Sequence, residues 1–285
     1  MAIVLGDNQY GKAETRLVRV VRDGERHELR DLTVSVALAG DLATAHTDGD
    51  NSRVLPTDTQ KNTVYAFASE YGVSTVEDFG LRLARHFVNS QPSIHRARVS
   101  LVEHGWQRLG PHSFAHAGAE TRTATVTCDR SGAWVVSGLA DLVLLNSTGS
   151  EFVDFVTDRY TTLPEATDRI LATAISARWR HASADSDWEA SFHGAREHLV
   201  AGFVDTYSRS LQETLYAMGQ RVLAHRPELV ELRLSLPNKH HLLVDLAPFG
   251  LANSNEVFVA TDRPYGLIEG TVARDDAPPA GLAWW

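Results

Sequence analysis

Cysteine and lysine are both scarce in this chain of 285 residues. Cys128 is the only cysteine, so an intramolecular disulfide is impossible and a zinc site built from several thiolates is excluded. A lone cysteine also favours a reducing compartment. Lysine occurs three times, as Lys12, Lys61 and Lys239, against 24 arginines. Since only lysine can readily be tuned to lose its proton, these positions suit a titratable amine, although codon usage and chance are an equally good explanation.

Long apolar runs and an excess of basic charge are absent as well. No segment approaches the roughly 20 apolar residues of a membrane-spanning helix, and residues 1–6 are too short a run for a secretory signal. The formal net charge is −9 at pH 7, which argues against binding to nucleic acid or to an anionic membrane. With 43% hydrophobic and 22% charged residues, the composition is that of a soluble globular protein.

The usual cofactor and metal motifs are missing. There is no GxGxxG, no GxxxxGK[ST] and no GxSxG segment. His112 and His116 lack the HExxH context, and the neighbours His240 and His241 would point to opposite faces of a strand. We therefore predict no metal site and no bound cofactor.

Apolar periodicity predicts the same order of elements twice. Each half contains strands, then a pair of helices, then strands again. Strands are predicted at 15–22, 28–39, 95–109, 113–128, 133–145, 170–180, 229–236, 240–246, 256–261 and 266–273, and helices at 57–71, 76–87, 189–204 and 210–225. Ser74-x-x-Glu77 and Ser186-x-x-Glu189 are typical capping boxes, and Pro237-Asn238 is typical of a turn.

This order predicts an α+β protein with antiparallel sheets and helices on one face. We predict two domains, residues 1–135 and 136–285, with a mobile tail at 275–285. One half alone would leave open sheet edges, which favours oligomerisation.

Four stretches carry side chains suited to chemistry. Thr57 or Asp58 can begin a helix whose free N–H groups would bind an anion, or can simply cap that helix. Phe152, Phe155, Tyr160 and Arg169 can form a stacking ring with a guanidinium, or ordinary core and surface contacts. Gln212 offers an amide to a heterocycle if it faces a pocket. Asn238 and His240 are predicted to share one face of a strand.

Taken together, these stretches resemble the urate oxidase (uricase) family nearly end to end. The motifs are Tyr10-Gly11-Lys12, Thr57-Asp58-x-x-Lys61-Asn62, Leu236-Pro237-Asn238-Lys239-His240, and the long segment from Leu142 to Phe152 that continues to Arg169. All three lysines fall inside them. Asn146 departs from the pattern, which usually has lysine there. The end, Leu282-Ala283-Trp284-Trp285, is not a Ser-Lys-Leu peroxisomal signal, so we expect a bacterial, cytoplasmic member.

The resemblance implies two tandem T-fold (tunnelling-fold) domains and a homotetramer that encloses a tunnel, with active sites shared between subunits. Lys12, Thr57 and Asp58 would come from one chain and the other site residues from its neighbour. Phe152 would stack on the purine, while Arg169 and Gln212 grip its edge with backbone help from Leu211 and Asp58. Lys12, Thr57 and His240 would relay protons, and Asn238 with Thr57 would hold dioxygen and then water.

The reaction implied is oxidation of urate to 5-hydroxyisourate and hydrogen peroxide, with dioxygen as co-substrate and no metal or flavin. Two alternatives remain: a zinc-dependent pterin enzyme of the same fold, and a purine-binding protein without activity. The first needs a His or Cys cluster that the sequence does not show. A threonine-nucleophile hydrolase is disfavoured because Thr57 is internal.

Overall fold

The structure is a computed structural model that describes residues 1–285. It contains strands β1 (Tyr10–Val21), β2 (Glu28–Gly40), β3 (Ile94–Arg108), β4 (Phe114–Asp129), β5 (Ala133–Asn146), β6 (Leu171–His181), β7 (Leu229–Pro237), β8 (His240–Leu243), β9 (Phe258–Thr261) and β10 (Leu267–Ala273). The helices are α1 (Ala43–Thr47), α2 (Thr57–Glu70), α3 (Val76–Ser90), α4 (Trp188–Val204) and α5 (Leu211–His225), with a 3-10 turn at Ala247–Phe249. No helix is long and apolar enough to span a membrane.

The chain divides into two compact units. The first comprises Met1–Gly138, Trp179–Phe192 and Ala277–Trp285, and the second comprises Leu139–Arg178 and His193–Asp276. Both units mix antiparallel strands with helices, as the sequence predicts. The division between residues 135 and 136 stays a prediction, because the two units exchange short segments.

In the first unit, strands β1, β2, β3 and β4 lie side by side and pair antiparallel. The predicted hairpin between β1 and β2 is present, with Gly24 in its turn at φ +93°, where glycine meets no steric penalty. The buried side chains of these strands, including Val34 and Leu101, form one core with those of α2 and α3. Gly80 of α3 lets the helix approach the sheet, since a Cβ there would lie 2.8 Å from Val126.

In the second unit, β7 pairs antiparallel with β10 and lies next to β6. Helix α5 packs on β7 and β10, and Gly219 permits this approach because a Cβ there would lie 2.6 Å from Val272. Strands β8 and β9 form a separate antiparallel pair. The predicted turn at Pro237-Asn238 is therefore wrong: the chain runs on from β7 into β8, and each strand takes a different partner.

Both predicted capping boxes are displaced by one residue. Thr75, not Ser74, caps α3 by accepting a hydrogen bond from the Asp78 amide. Asp187, not Ser186, caps α4, where its carboxylate accepts from the Ala190 amide.

In both predicted capping boxes the glutamate binds Arg122 instead of the helix end. This buried guanidinium binds the Glu77 carboxylate at 2.9 Å and the Glu189 carboxylate at 2.5 Å. Ser137 donates a further hydrogen bond to Glu77. Both glutamates of the predicted capping boxes are thus committed to one arginine and are not available to cap a helix end.

The C-terminal residues pack against the first unit. Arg96 and Arg98 lie over the ring of Trp285, with guanidinium carbons 4.7 and 5.0 Å from its centroid. Ala283 is buried. Trp285 thus makes cation–π contacts and Ala283 is buried, while the expected mobility of 275–285 stays a prediction.

Candidate functional site

Lys12 lies beside a β-bulge in β1. It pairs with Val36, whereas Thr15 pairs with Val34, so one extra residue is accommodated between them. Glu14 takes φ +56° and its amide donates to the Ser35 hydroxyl at 2.9 Å. Such bulges bend a strand and re-aim the adjacent side chain. The local backbone therefore sets the direction of Lys12.

Gly11, the residue before Lys12, lies where β1 and β2 approach each other closely. A Cβ built on Gly11 would lie 1.8 Å from the carbonyl oxygen of Val36, so no other residue fits without moving the strand. The close approach of the two backbones thus requires glycine at the middle position of the Tyr10-Gly11-Lys12 motif.

Helix α2 begins at Thr57 without a side-chain cap. Its N-cap residue is Pro56, which makes no capping hydrogen bond. Thr57 and Asp58 lie within the first turn, so the simple capping role considered for them is wrong. Free N–H groups at this end, together with the positive end of the helix dipole, suit an anionic ligand.

The Asp58 side chain is held by its own helix. Lys61 donates to one carboxylate oxygen at 2.5 Å and Asn62 donates to the other at 2.9 Å. The pKa of Asp58 is lowered, first by the hydrogen bond and charge of Lys61, then by Asn62 and by the charge of Lys12. The Tyr10 hydroxyl, two residues before Lys12, donates to the Leu55 carbonyl, two residues before Thr57, at 3.0 Å, so Lys12, Thr57 and Asp58 lie in one neighbourhood.

In the second unit, Phe152 and Phe155 stack at 4.9 Å with an interplanar angle of 12°. The Arg169 guanidinium carbon lies 5.2 Å from the centroid of Phe152. These three side chains lie together, while their use as a stacking surface with a cation stays a prediction. Tyr160 does not join them, because its exposed ring is covered by Arg159 instead.

Arg169 is fixed by Ser150. The Arg169 amide donates to the Ser150 carbonyl at 2.9 Å, and its Nε donates to the Ser150 hydroxyl at 3.1 Å. Burial lowers the pKa of Arg169, although a guanidinium keeps its charge near neutral pH. Use of Nε by Ser150 leaves the two terminal nitrogens for a ligand.

Ser208 links this segment to the start of α5. Its amide donates to the Gly149 carbonyl at 2.9 Å, and its hydroxyl donates to the Ser210 carbonyl at 3.0 Å. Ser210 caps α5, so that Leu211 is buried and Gln212 is exposed beside it. Sequence reasoning did not single out Ser150, although it lies inside the Leu142–Phe152 motif, or Ser208, because a serine in a loop carries no signal of its own.

Asn238 and His240 lie at the junction of β7 and β8. The Asn238 amide donates to the Gly266 carbonyl at 2.8 Å, and Asn238 forms an isolated bridge with Thr173 of β6. Because Arg169 immediately precedes β6, this bridge brings Asn238 to the same end of the second unit. His240 begins β8 opposite Thr261 and is partly exposed.

Each unit thus assembles its own share of the predicted residues. The first unit carries Lys12, Thr57 and Asp58, and the second carries Phe152, Arg169, Leu211, Gln212, Asn238 and His240. No group of three or more His, Cys, Asp or Glu side chains in residues 1–285 is arranged to hold a metal ion.

Comparisons with known proteins agree on one family. The Uricase family model matches residues 8–127 and 135–269. The chain is 50% identical to a uricase of Arthrobacter globiformis over 284 residues, which cover 99% of this chain and 94% of the relative. It is 36% identical to a uricase of Oryctolagus cuniculus, with 93% of each chain covered.

Solved structures extend the match to the fold. The crystal structure of the Arthrobacter globiformis uricase superimposes with a TM-score of 0.95 at 49% identity, covering 98% of both chains. A uricase from Bacillus fastidious gives a TM-score of 0.82 at 26% identity, covering 95% of this chain and 94% of that one. The predicted tandem-domain α+β fold and the predicted family are confirmed. The chain belongs to the uricase family.

Proposed function

We propose that the chain catalyses cofactor-free oxidation of urate, with active sites assembled from two subunits of a homotetramer. Urate, dioxygen and water give 5-hydroxyisourate and hydrogen peroxide. Urate loses two electrons, dioxygen gains two electrons and two protons, and the oxygen atom added to the purine comes from water. Since the urate anion is itself the electron donor, the protein has only to bind, deprotonate and position the reactants.

The observation that carries the proposal is the pairing of Phe152 with Arg169. A flat anion needs an aromatic face and a fixed cation at its edge. Phe152 supplies the face, and Arg169, anchored through Nε by Ser150, offers two terminal nitrogens in one plane. Gln212 adds an amide that can donate and accept, and the backbone N–H groups of Leu211 and Asp58 complete the grip.

Proton transfer falls to Lys12, Thr57 and His240. Lys12 acts as the base through the Thr57 hydroxyl, and His240 supports the relay as a donor or acceptor. Support comes from the bulge that directs Lys12 and from the proximity of Lys12 to the first turn of α2. Asn238 and Thr57 hold dioxygen, and then water, over the ring.

Assembly is supported by the apolar surface of the β8–β9 pair. Leu242, Leu243, Val257 and Val259 are each about half exposed. Leu242 and Val259 pair across the two strands and so share one face, and an exposed apolar pair of this kind suits an interaction surface. In the proposed tetramer the first unit of one chain supplies Lys12 and Thr57, and the second unit of its neighbour supplies Phe152 and Arg169. A single buried cysteine supports a cytoplasmic location.

The test is to mix metal-stripped protein with urate in air-saturated buffer and to follow urate absorbance together with hydrogen peroxide. Loss of urate with one peroxide per urate supports cofactor-free oxidation. Urate binding without turnover would instead favour a purine-binding protein. Activity that appears only after zinc is added would favour the pterin-type alternative.

A further inference from the structure

Tyr10, Leu55 and Gln60 form a hydrogen-bonded contact between β1 and the start of α2. The Tyr10 hydroxyl donates to the Leu55 carbonyl at 3.0 Å, and the Gln60 Nε2 donates to the same oxygen at 3.3 Å. The Gln60 amide also interacts with the Tyr10 hydroxyl. One carbonyl oxygen is therefore the meeting point of two side chains from different elements.

Gln60 occupies a position where an apolar residue would be expected. It is fully buried, on the same face of α2 as Val64 and Ala68, which are also buried. Burying an amide costs free energy unless its groups are paired, and the Gln60 Oε1 has no hydrogen-bond partner. A leucine would satisfy this face of the helix without that cost. The Gln60 side chain, however, makes a hydrogen bond that leucine cannot make.

The residues of this contact lie close in sequence to Lys12 and Thr57 of the proposed proton relay. Tyr10 is two residues before Lys12, and Leu55 and Gln60 are two residues before and three residues after Thr57. Beyond Lys12 the bulge fixes the strand through the Glu14 amide and the Ser35 hydroxyl. Lys12 thus sits between two anchors, and of these two the one formed by Tyr10 and Gln60 ties its strand to the segment that carries Thr57.

We propose that Gln60 and Tyr10 are positioning residues that hold Lys12 at the correct distance from Thr57 for proton transfer. This inference rests on the proposed roles of Lys12 and Thr57. Neither positioning residue needs to touch urate. Loss of the contact allows β1 and the start of α2 to move relative to each other, and a displacement of about 1 Å can cost about 100-fold in rate.

The first experiment replaces Gln60 with leucine, which keeps the volume and removes the amide. We expect kcat to fall about 10- to 100-fold, while KM for urate changes less than about threefold because the grip lies on other residues. Tyr10→Phe removes the hydroxyl that donates from β1 to the Leu55 carbonyl and should give the same split with a loss at least as large. If Gln60→Leu does not fold, Tyr10→Phe decides the matter.

Tyr65→Phe is the matched control. The Tyr65 hydroxyl also donates from α2 to a β1 carbonyl, that of Arg16, at 3.4 Å. It lies on the far side of the bulge from Lys12, so its loss should leave kcat unchanged. An equal fall in kcat for Tyr65→Phe and Tyr10→Phe would show a general loosening of the two elements and overturn the inference.

A double-mutant cycle with Lys12→Ala separates the proposed proton relay from the proposed positioning role of Gln60. If Lys12→Ala retains turnover, the proposed relay fails. If Lys12→Ala abolishes most turnover and Gln60→Leu does not lower kcat, the relay stands and the positioning inference fails. If Gln60→Leu acts through Lys12, it adds no further loss in the Lys12→Ala background. An additive loss in the double variant would overturn the inference.

Discussion

Arg169 lies over the face of Phe152, with its guanidinium carbon 5.2 Å from the ring centroid. The two residues are 17 positions apart, but Ser150 binds Arg169 and the Phe152 backbone pairs with Ala166. Cation and ring are thus fixed to one short backbone ladder. We infer that this ladder, and not either side chain alone, sets the geometry of the proposed urate grip.

Removal of the Arg169 guanidinium should weaken urate binding severely. Charge-assisted hydrogen bonds contribute roughly 1.5–3 kcal/mol each, so Arg169→Ala should raise the Kd for urate at least about 100-fold. Binding measured in dioxygen-free buffer isolates this effect from turnover. Arg159→Ala is the control, because that guanidinium covers the exposed Tyr160 ring. Unchanged urate affinity in Arg169→Ala would rule out the grip.

Lys12→Ala and Thr57→Ala should lower turnover more than binding. General acid–base groups contribute about 100- to 10,000-fold in rate, so kcat should fall by that range while Kd for urate changes less than about threefold. The double variant should be no slower than the slower single variant, since both residues serve one relay. Full turnover in Lys12→Ala would contradict the assignment.

Lys61→Met should make the free energy of unfolding less sensitive to a fall in pH. Lys61 lowers the pKa of Asp58, so the stabilisation it provides exists above the unfolded pKa of Asp58 and is lost as the pH falls through the folded value. The gap in stability between wild type and Lys61→Met should therefore be widest near neutral pH and close below about pH 4. Urea unfolding at several pH values measures this gap. A gap that stays constant with pH would contradict the pairing.

Arg122→Leu should be strongly destabilising. Arg122 is buried with Glu77, and loss of one partner leaves an uncompensated buried carboxylate. Such changes cost about 3–5 kcal/mol, which urea unfolding would detect directly. Arg130→Ala is the control, because Arg130 is exposed and donates a hydrogen bond to the Pro92 carbonyl at the surface. Its loss should change the free energy of unfolding by less than about 0.5 kcal/mol.

Cys128 should not react in the folded protein. Burial raises the pKa of its thiol to about 11, and the thiolate is the reactive form. Iodoacetamide at pH 8 should label Cys128 only after unfolding, and no disulfide between chains should form. Ser131→Cys places an exposed thiol on the adjoining turn and should label at once. Rapid labelling of native Cys128 would show that this end of β4 opens.

Local patterns predicted the elements well because strand alternation, helical spacing and apolar burial all act over a few residues. Every predicted strand and helix has its counterpart within a few residues. The two displaced capping boxes involve a contact between residues far apart in sequence. Glu77 and Glu189 both bind Arg122 instead of a helix end. No reading of four consecutive residues could anticipate a charge that arrives from another strand.

The candidate site shows the same division. Lys12, Thr57, Phe152 and Arg169 stand in motifs long enough to be identified by resemblance. The supports of those residues, such as Ser150 and Gln60, could not be found in this way. Their importance arises from burial and from a hydrogen-bonding partner, and both depend on the folded chain.

The bulge in β1 reverses the inward and outward alternation of side chains within one strand. Thr15 and Leu17 face the core, and continuing their alternation backwards would bring Ala13 inward and turn Lys12 away. The extra residue inverts this alternation. Lys12 therefore lies on the same face of the sheet as Val36, its partner on β2. One more residue inserted between Lys12 and Thr15 would invert it again. The hydrophobic core would be unchanged, yet the lysine would be lost to the far face of the sheet.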